Sequence, residues 1–242
     1  ANGICARKVR LAAFTGRKSF IPHPVTIMDF PLNTRMISAN GDLEAGSGPF
    51  FPRELIPQQI VYNQIVFRLQ TTANLNALVC GGELLTVPDI APGTRADTIY
   101  VLAAADVETS AVFRFPEAPE RQVTVTVPPM TGFIGQYDTR VWSHPPREPR
   151  DYVWKNQYIS LEPGYVRRYP VAWYATHMHG AGADFPYYYG YLYCLKIDLP
   201  PEIGSIQLPR DARIKIFALS ASDSRISVSS AELVSDTFDI EH

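Results

Sequence analysis

Hydrophobic and polar residues alternate along most of this chain with a period of two, in short runs broken by proline, glycine and aspartate. That period places successive side chains on opposite faces of a strand. Gln59–Gln70 shows it well, with Ile65, Phe67 and Leu69 on one face and Arg68 and Gln70 on the other. Ser110–Phe115 and Gln122–Val127 alternate too, with 116–120 as the turn between them. Ala77–Cys80 and Glu83–Val87 are shorter runs, while Thr98–Ala105 is apolar throughout and predicts a central strand. Strands this closely spaced predict an all-β fold, an antiparallel β-sandwich of jelly-roll-like form. No stretch has the period of an amphipathic helix; Pro52–Ile56 predicts a single helical turn.

The densest pattern runs from Val171 to Pro200. Val171–Gly180 and Tyr187–Asp198 read as two strands, with Gly180, Ala181 and Gly182 in the connection, so they predict a long hairpin. Eight of the thirteen tyrosines fall between Tyr165 and Tyr193. On a regular strand Tyr187, Tyr189, Tyr191 and Tyr193 would share one face, and Tyr188, Gly190, Leu192 and Cys194 the other. Such a row is either a packed inner layer or a platform for sugar rings.

The rest of the chain is less regular. Phe20–Pro31 carries three prolines, which exclude a central strand and leave an extended arm or an edge strand. Lys8–Phe14 reads as a strand, and Ile226–Val228 with Leu233–Val234 as a last strand or a tail. Residues 128–170 form a long aromatic excursion read as a loop, anchored by Trp142 and Trp154. Residues 1–50 are read as an N-terminal arm and edge strand, and 51–242 as the sandwich, one domain in all.

Composition narrows the function. With 242 residues and 46% hydrophobic content the chain can fill a sizeable core. A formal net charge of −2 leaves no electrostatic footprint for nucleic acid. No apolar run approaches the roughly 20 residues that span a bilayer. Cys5, Cys80 and Cys194 are too few and too far apart for a disulfide framework or a zinc pattern, and Cys80 and Cys194 read as small buried hydrophobes. The cellular setting stays open, with a secreted or extracellular one favoured.

Candidate chemistry is sparse. Two residues apart on a strand, His177 and His179 can face one metal ion or one sugar, with Asp184 or His144 as a third ligand. The pattern lacks the helical spacing and glutamate of His-Glu-x-x-His, so no metal is assigned to it. Asn40, Asp42 and Glu44 alternate oxygen-bearing side chains in a glycine-rich loop, which makes calcium the one cofactor to consider, although an ordinary polar turn has the same residues. No serine elbow and no phosphate loop occurs. The aromatic wealth points to carbohydrate, because sugar C–H faces pack on Trp and Tyr while hydroxyls need polar partners. Trp142, Trp173, Tyr174 and Tyr187 supply rings; Arg168, His177, His179 and Asp184 supply polar groups. Against this stands core filling, the commoner use of large rings.

Several blocks, taken in order, also resemble a known family. Phe51-Pro-Arg-Glu-Leu-Ile-Pro57, Ile60-Val-Tyr-Asn63, Asn76-Ala-Leu-Val-Cys80, Ile99–Ala105, Thr131-Gly-Phe-Ile-Gly-Gln136, Leu161–Val166, Val171–His179 and Ile206–Ala218 resemble the C-terminal β-sandwich region of proteins related to glycoside hydrolase family 38, the α-mannosidases. The resemblance runs from about Phe51 to Leu219. It implies an accessory module, since that family's zinc-dependent catalytic machinery sits in a separate N-terminal domain. His177-Met-His179 is not the family's catalytic His-x-Asp pattern, so no catalytic residue carries over. The expectation is a non-catalytic, lectin-like module that binds carbohydrate. The alternatives are a glycoside hydrolase or lyase in an aromatic cleft, and a structural domain that packs on a catalytic partner or self-associates.

Overall fold

The computed structural model describes residues 25–39, 49–143, 157–181 and 183–230. These residues form an all-β protein with no helix among them. The larger sheet has six strands. Its order is Val25–Met28, Ile214–Ser222, Thr98–Ala105, Ala183–Asp198 and Val171–Gly180, with Leu78–Val79 also pairing Ile214–Ser222. A four-stranded sheet runs Gln122–Val127, Thr109–Arg114, Ser205–Gln207 and Leu84–Thr86. Every pairing in both sheets is antiparallel.

The apolar runs explain this order. Thr98–Ala105 and Ile214–Ser222 are buried at every position, as strands with neighbours on both edges and cover on both faces must be. Phe113, Leu85 and Ile206 of the smaller sheet, with Phe115 just past its edge, join Ile99, Leu102, Tyr193 and Phe217 of the larger one in a single hydrophobic core. Val25–Met28, from the proline-rich arm, takes the outer edge of the large sheet. Cys80 and Cys194 are free and buried. Burial pushes the Cys80 thiol up to about 12 and the Cys194 thiol beyond that. Lys8–Phe14, Cys5, His144, Trp154, Leu233–Val234 and the calcium candidates Asn40, Asp42 and Glu44 lie outside the described residues.

Three expectations are corrected. Gln59–Gln70 is not one strand but a hairpin, Gln59–Tyr62 with Ile65–Arg68. Asn63 and Gln64 both take positive φ, 46° and 72°, which is the two-residue turn that joins such strands. The 128–170 excursion is not an irregular loop. Gly135–Gln136 pairs Tyr165–Val166, and inside that pair Thr139–Trp142 pairs Tyr158–Glu162, so its described residues form a nested two-stranded ribbon. Its strand Tyr158–Glu162 is exposed at every residue.

The third correction concerns the tyrosine row. Ala175 pairs Gly190 and His177 pairs Pro186, so Thr176 alone stands opposite Tyr187, Tyr188 and Tyr189. Tyr187 absorbs this bulge with φ 63°. The bulge splits the row in two. Tyr191 and Tyr193 are buried with their rings 6.1 Å apart, and the Tyr193 hydroxyl donates to Pro129 O at 2.8 Å. Tyr187 is 79% exposed. Gly190 marks the boundary, because a Cβ there would stand 2.2 Å from Met178 Sδ and 2.8 Å from the Phe51 ring.

Candidate functional site

The free end of the long hairpin is held by a short piece of chain from the other end of the sequence. Phe50 and His179 exchange backbone hydrogen bonds, Phe50 N–H to His179 O at 2.9 Å and His179 N–H to Phe50 O at 2.8 Å. Phe51–Pro52 then pairs in parallel with Ile37–Ser38. That pair is fastened by the buried Asn76 amide. Its Oδ1 accepts from Met36 and Ile37 N–H at 2.7 and 2.9 Å, and its Nδ2 donates to Ile37 O and Ala73 O at 2.9 and 3.2 Å. After Pro52 the chain makes one turn, closed by Leu55 and Ile56 N–H on Pro52 O. The turn lifts Glu54 over the hairpin.

Glu54 meets both histidines there. Its Oε1 lies 2.8 Å from His179 Nε2 and 3.4 Å from His177 Nε2. The three ligand-type atoms all fall within 4.8 Å of one another. Asp184, paired with His179 across the hairpin, places Oδ1 3.5 Å from the same Nε2. His179 is 1% exposed, and its Nδ1 stands 3.0 Å from the Ser38 carbonyl. That carbonyl also accepts the Arg53 N–H at 3.0 Å, so both of its lone pairs are used. The Nδ1 proton is thereby fixed on Ser38, and Nε2 is turned toward Glu54. Burial acts to raise the Glu54 carboxyl. Its own backbone N–H and the two imidazoles outweigh that effect and bring it below the ordinary glutamate range.

An aromatic groove adjoins this cluster. Pro49, Phe185, Pro186 and Tyr188 line a hollow of about 480 Å³. Pro186 pairs with His177 and Phe185 with Met178, so groove and cluster share one stretch of hairpin. Phe185 and Tyr188 meet edge to face, centroids 6.1 Å apart at 69°. The Thr131 hydroxyl donates to the Tyr188 hydroxyl oxygen at 3.0 Å and orients that ring. Gly180 permits the arrangement, since a Cβ there would stand 2.1 Å from the Phe185 ring.

The residues singled out by sequence divide accordingly. His177, His179 and Asp184 come together, and Tyr187 and Tyr174 are exposed on the same hairpin. Trp173 turns toward the core, half-buried with its ring 5.8 Å from Phe51. Trp142 stands on the ribbon, edge-on to Tyr158 at 6.3 Å. Arg168 lines a different groove, about 680 Å³, with Tyr62, Tyr169 and Ser229. Sequence reasoning missed Glu54 and Phe185, while Tyr188 stood within the tyrosine run it had singled out. The helical turn read at Pro52–Ile56 was the available signal for Glu54, but nothing local ties it to a histidine pair more than a hundred residues away.

The fold and this edge site define a β-sandwich domain with its polar cluster and aromatic groove at one end of an edge hairpin. The model of the AziU2-like beta-sandwich domain family matches residues 24–225, and the chain belongs to that family. No curated protein matches the chain.

Proposed function

We propose that this β-sandwich is a non-catalytic carbohydrate-binding module, accessory to a glycoside hydrolase, in keeping with its resemblance to the β-sandwich of family 38-related proteins. The observation that carries the reading is the Pro49–Phe185–Pro186–Tyr188 groove. It offers apolar ring faces at the surface within one strand pairing of His177 and Asp184. A sugar needs both: a ring face for its C–H groups and directed polar groups for its hydroxyls. Isothermal titration with mannose- and galactose-containing glycans tests it. The expected result is binding to at least one glycan, weakened tenfold or more by Tyr188→Ala. No heat with any glycan overturns the reading.

A second reading rests on the ribbon. Phe133, Tyr137, Tyr158, Ile159, Leu161 and Val166 are all exposed, and Tyr137 is 95% so. Exposed apolar residues gathered on one stretch of chain mark a contact surface. In this reading the domain packs through the ribbon on a catalytic partner or on a second copy of itself. Light scattering on the isolated chain separates self-association, which Tyr137→Ser with Ile159→Ser would abolish, from a monomer awaiting a partner.

A further inference from the structure

We propose that Glu54, His177 and His179 bind one divalent transition-metal ion, of the zinc class, at the free end of the long hairpin. The proposal shares His177 and Asp184 with the carbohydrate reading but does not require it.

The donor set is chemically suited. Two imidazole nitrogens and a carboxylate oxygen are ligands that zinc and its neighbours accept together. In a tetrahedral site with bonds of about 2.0–2.1 Å, neighbouring ligand atoms stand roughly 3.3 Å apart. Glu54 Oε1 stands 2.8 and 3.4 Å from the two Nε2 atoms, and all three ligand atoms lie within 4.8 Å of one another, so an ion can enter once the two imidazoles close on it.

The surroundings are those of a metal site rather than of a surface ion pair. A ligating histidine donates its other ring N–H to a carbonyl or carboxylate, which fixes its tautomer and aims the remaining lone pair. His179 does this, with Nδ1 on the Ser38 carbonyl and Nε2 on Glu54. His179 Nε2 and Glu54 Oε1 thus converge at 2.8 Å with His177 Nε2 beside them, a three-point arrangement that fits one cation. Asp184, 3.5 Å from the same nitrogen, adds a second carboxylate at the rim.

The site is also open. Glu54 is half exposed and His177 a quarter exposed, whereas His179 is sealed. Three protein ligands with one side facing solvent leave a coordination position for water or a ligand oxygen. The three residues come from two elements distant in sequence, so the ion would pin the Arg53–Ile56 turn to the hairpin and stabilise the fold by binding only the folded chain.

The test is a titration of chelator-treated full chain with Zn²⁺, and separately with Co²⁺ as an optical probe. The expected result is one equivalent bound, with a tetrahedral or five-coordinate cobalt spectrum and a rise in melting temperature. His177→Ala and Glu54→Gln alter the two more exposed ligands. Each should fold with an unchanged circular dichroism spectrum and bind Zn²⁺ at least tenfold more weakly. His179→Ala removes a buried ring that also holds Ser38, so it is not the deciding variant. Two outcomes overturn the proposal: less than stoichiometric Zn²⁺ on the wild-type chain, or wild-type affinity in both variants. Glycan titrations of the same zinc-loaded and zinc-free samples report separately on the groove.

Discussion

The long hairpin carries tyrosines at both of its ends, and they meet opposite fates. At the root, Tyr193 is 1% exposed, hydrogen-bonded and packed between strands on both sides. At the tip, Tyr187 is 79% exposed on a bulge. Residue type does not separate them. The neighbouring strand Thr98–Ala105 pairs only with Tyr193–Asp198, so among the described residues the hairpin beyond Gly190 meets its own partner strand, the Phe50 segment and the Thr131–Gly132 edge, with no full strand along its other side. The root builds the core and the tip is free to hold a site.

Substitutions at the boundary and on either side of it test this contrast. The largest effect is expected from Gly190→Val, which drives a branched side chain into Met178 and Phe51. A loss above about 3 kcal/mol in denaturant unfolding, or no folded protein, is the expected outcome. Tyr193→Ala should cost about 3–5 kcal/mol, in the range of large buried aromatic truncations. Tyr187→Ala should change stability by less than about 0.5 kcal/mol, as exposed positions do. Equal costs for the two tyrosines would erase the distinction.

A pH titration sharpens it further. Burial raises the Tyr193 hydroxyl far above its ordinary value and the Tyr100 hydroxyl to about 12. In the unfolded chain both ionise near 10, so above that pH the unfolded state holds fewer protons and stability falls. The stabilisation is complete below about pH 10 and is lost as the pH rises toward 12 and beyond, which thermal melts across that window would show. The smallest effect is expected from Asp211, paired with the exposed Arg213. Hydrogen bonds from Arg213 hold its carboxyl down to about 2, so Arg213→Ala should trim stability slightly at neutral pH and remove that pair's share of the loss on acidification from pH 4 to 2.

Most of the sandwich was legible in period-two runs and in the unbroken apolar stretch Thr98–Ala105. That stretch is eight residues long and opens with Thr, Ile, Tyr and Val, which reads as a strand covered on both faces. The Asn63–Gln64 turn escaped notice because neither residue is glycine, although the buried face shifts from Ile60 before it to Ile65 and Phe67 after it. The tip resisted for a different reason. A bulge changes which side chains share a face without changing composition, so the sequence suggested one row of tyrosines where the chain makes two groups. His177 and His179 were recognisable as a pair, but Glu54 reaches them through the Phe50–His179 bridge, a tertiary pairing that carries no local mark.

The Asn76 amide has a consequence of its own. It stands where another strand would be, donating to and accepting from the same residue, Ile37. Exchanging its nitrogen for oxygen, as in Asn76→Asp, keeps the shape and turns an attraction to the Ile37 carbonyl into a repulsion. A one-atom change inside the protein would then slacken the Ser38 wall against which His179 rests, and the edge site would feel a lesion that leaves every one of its own residues untouched.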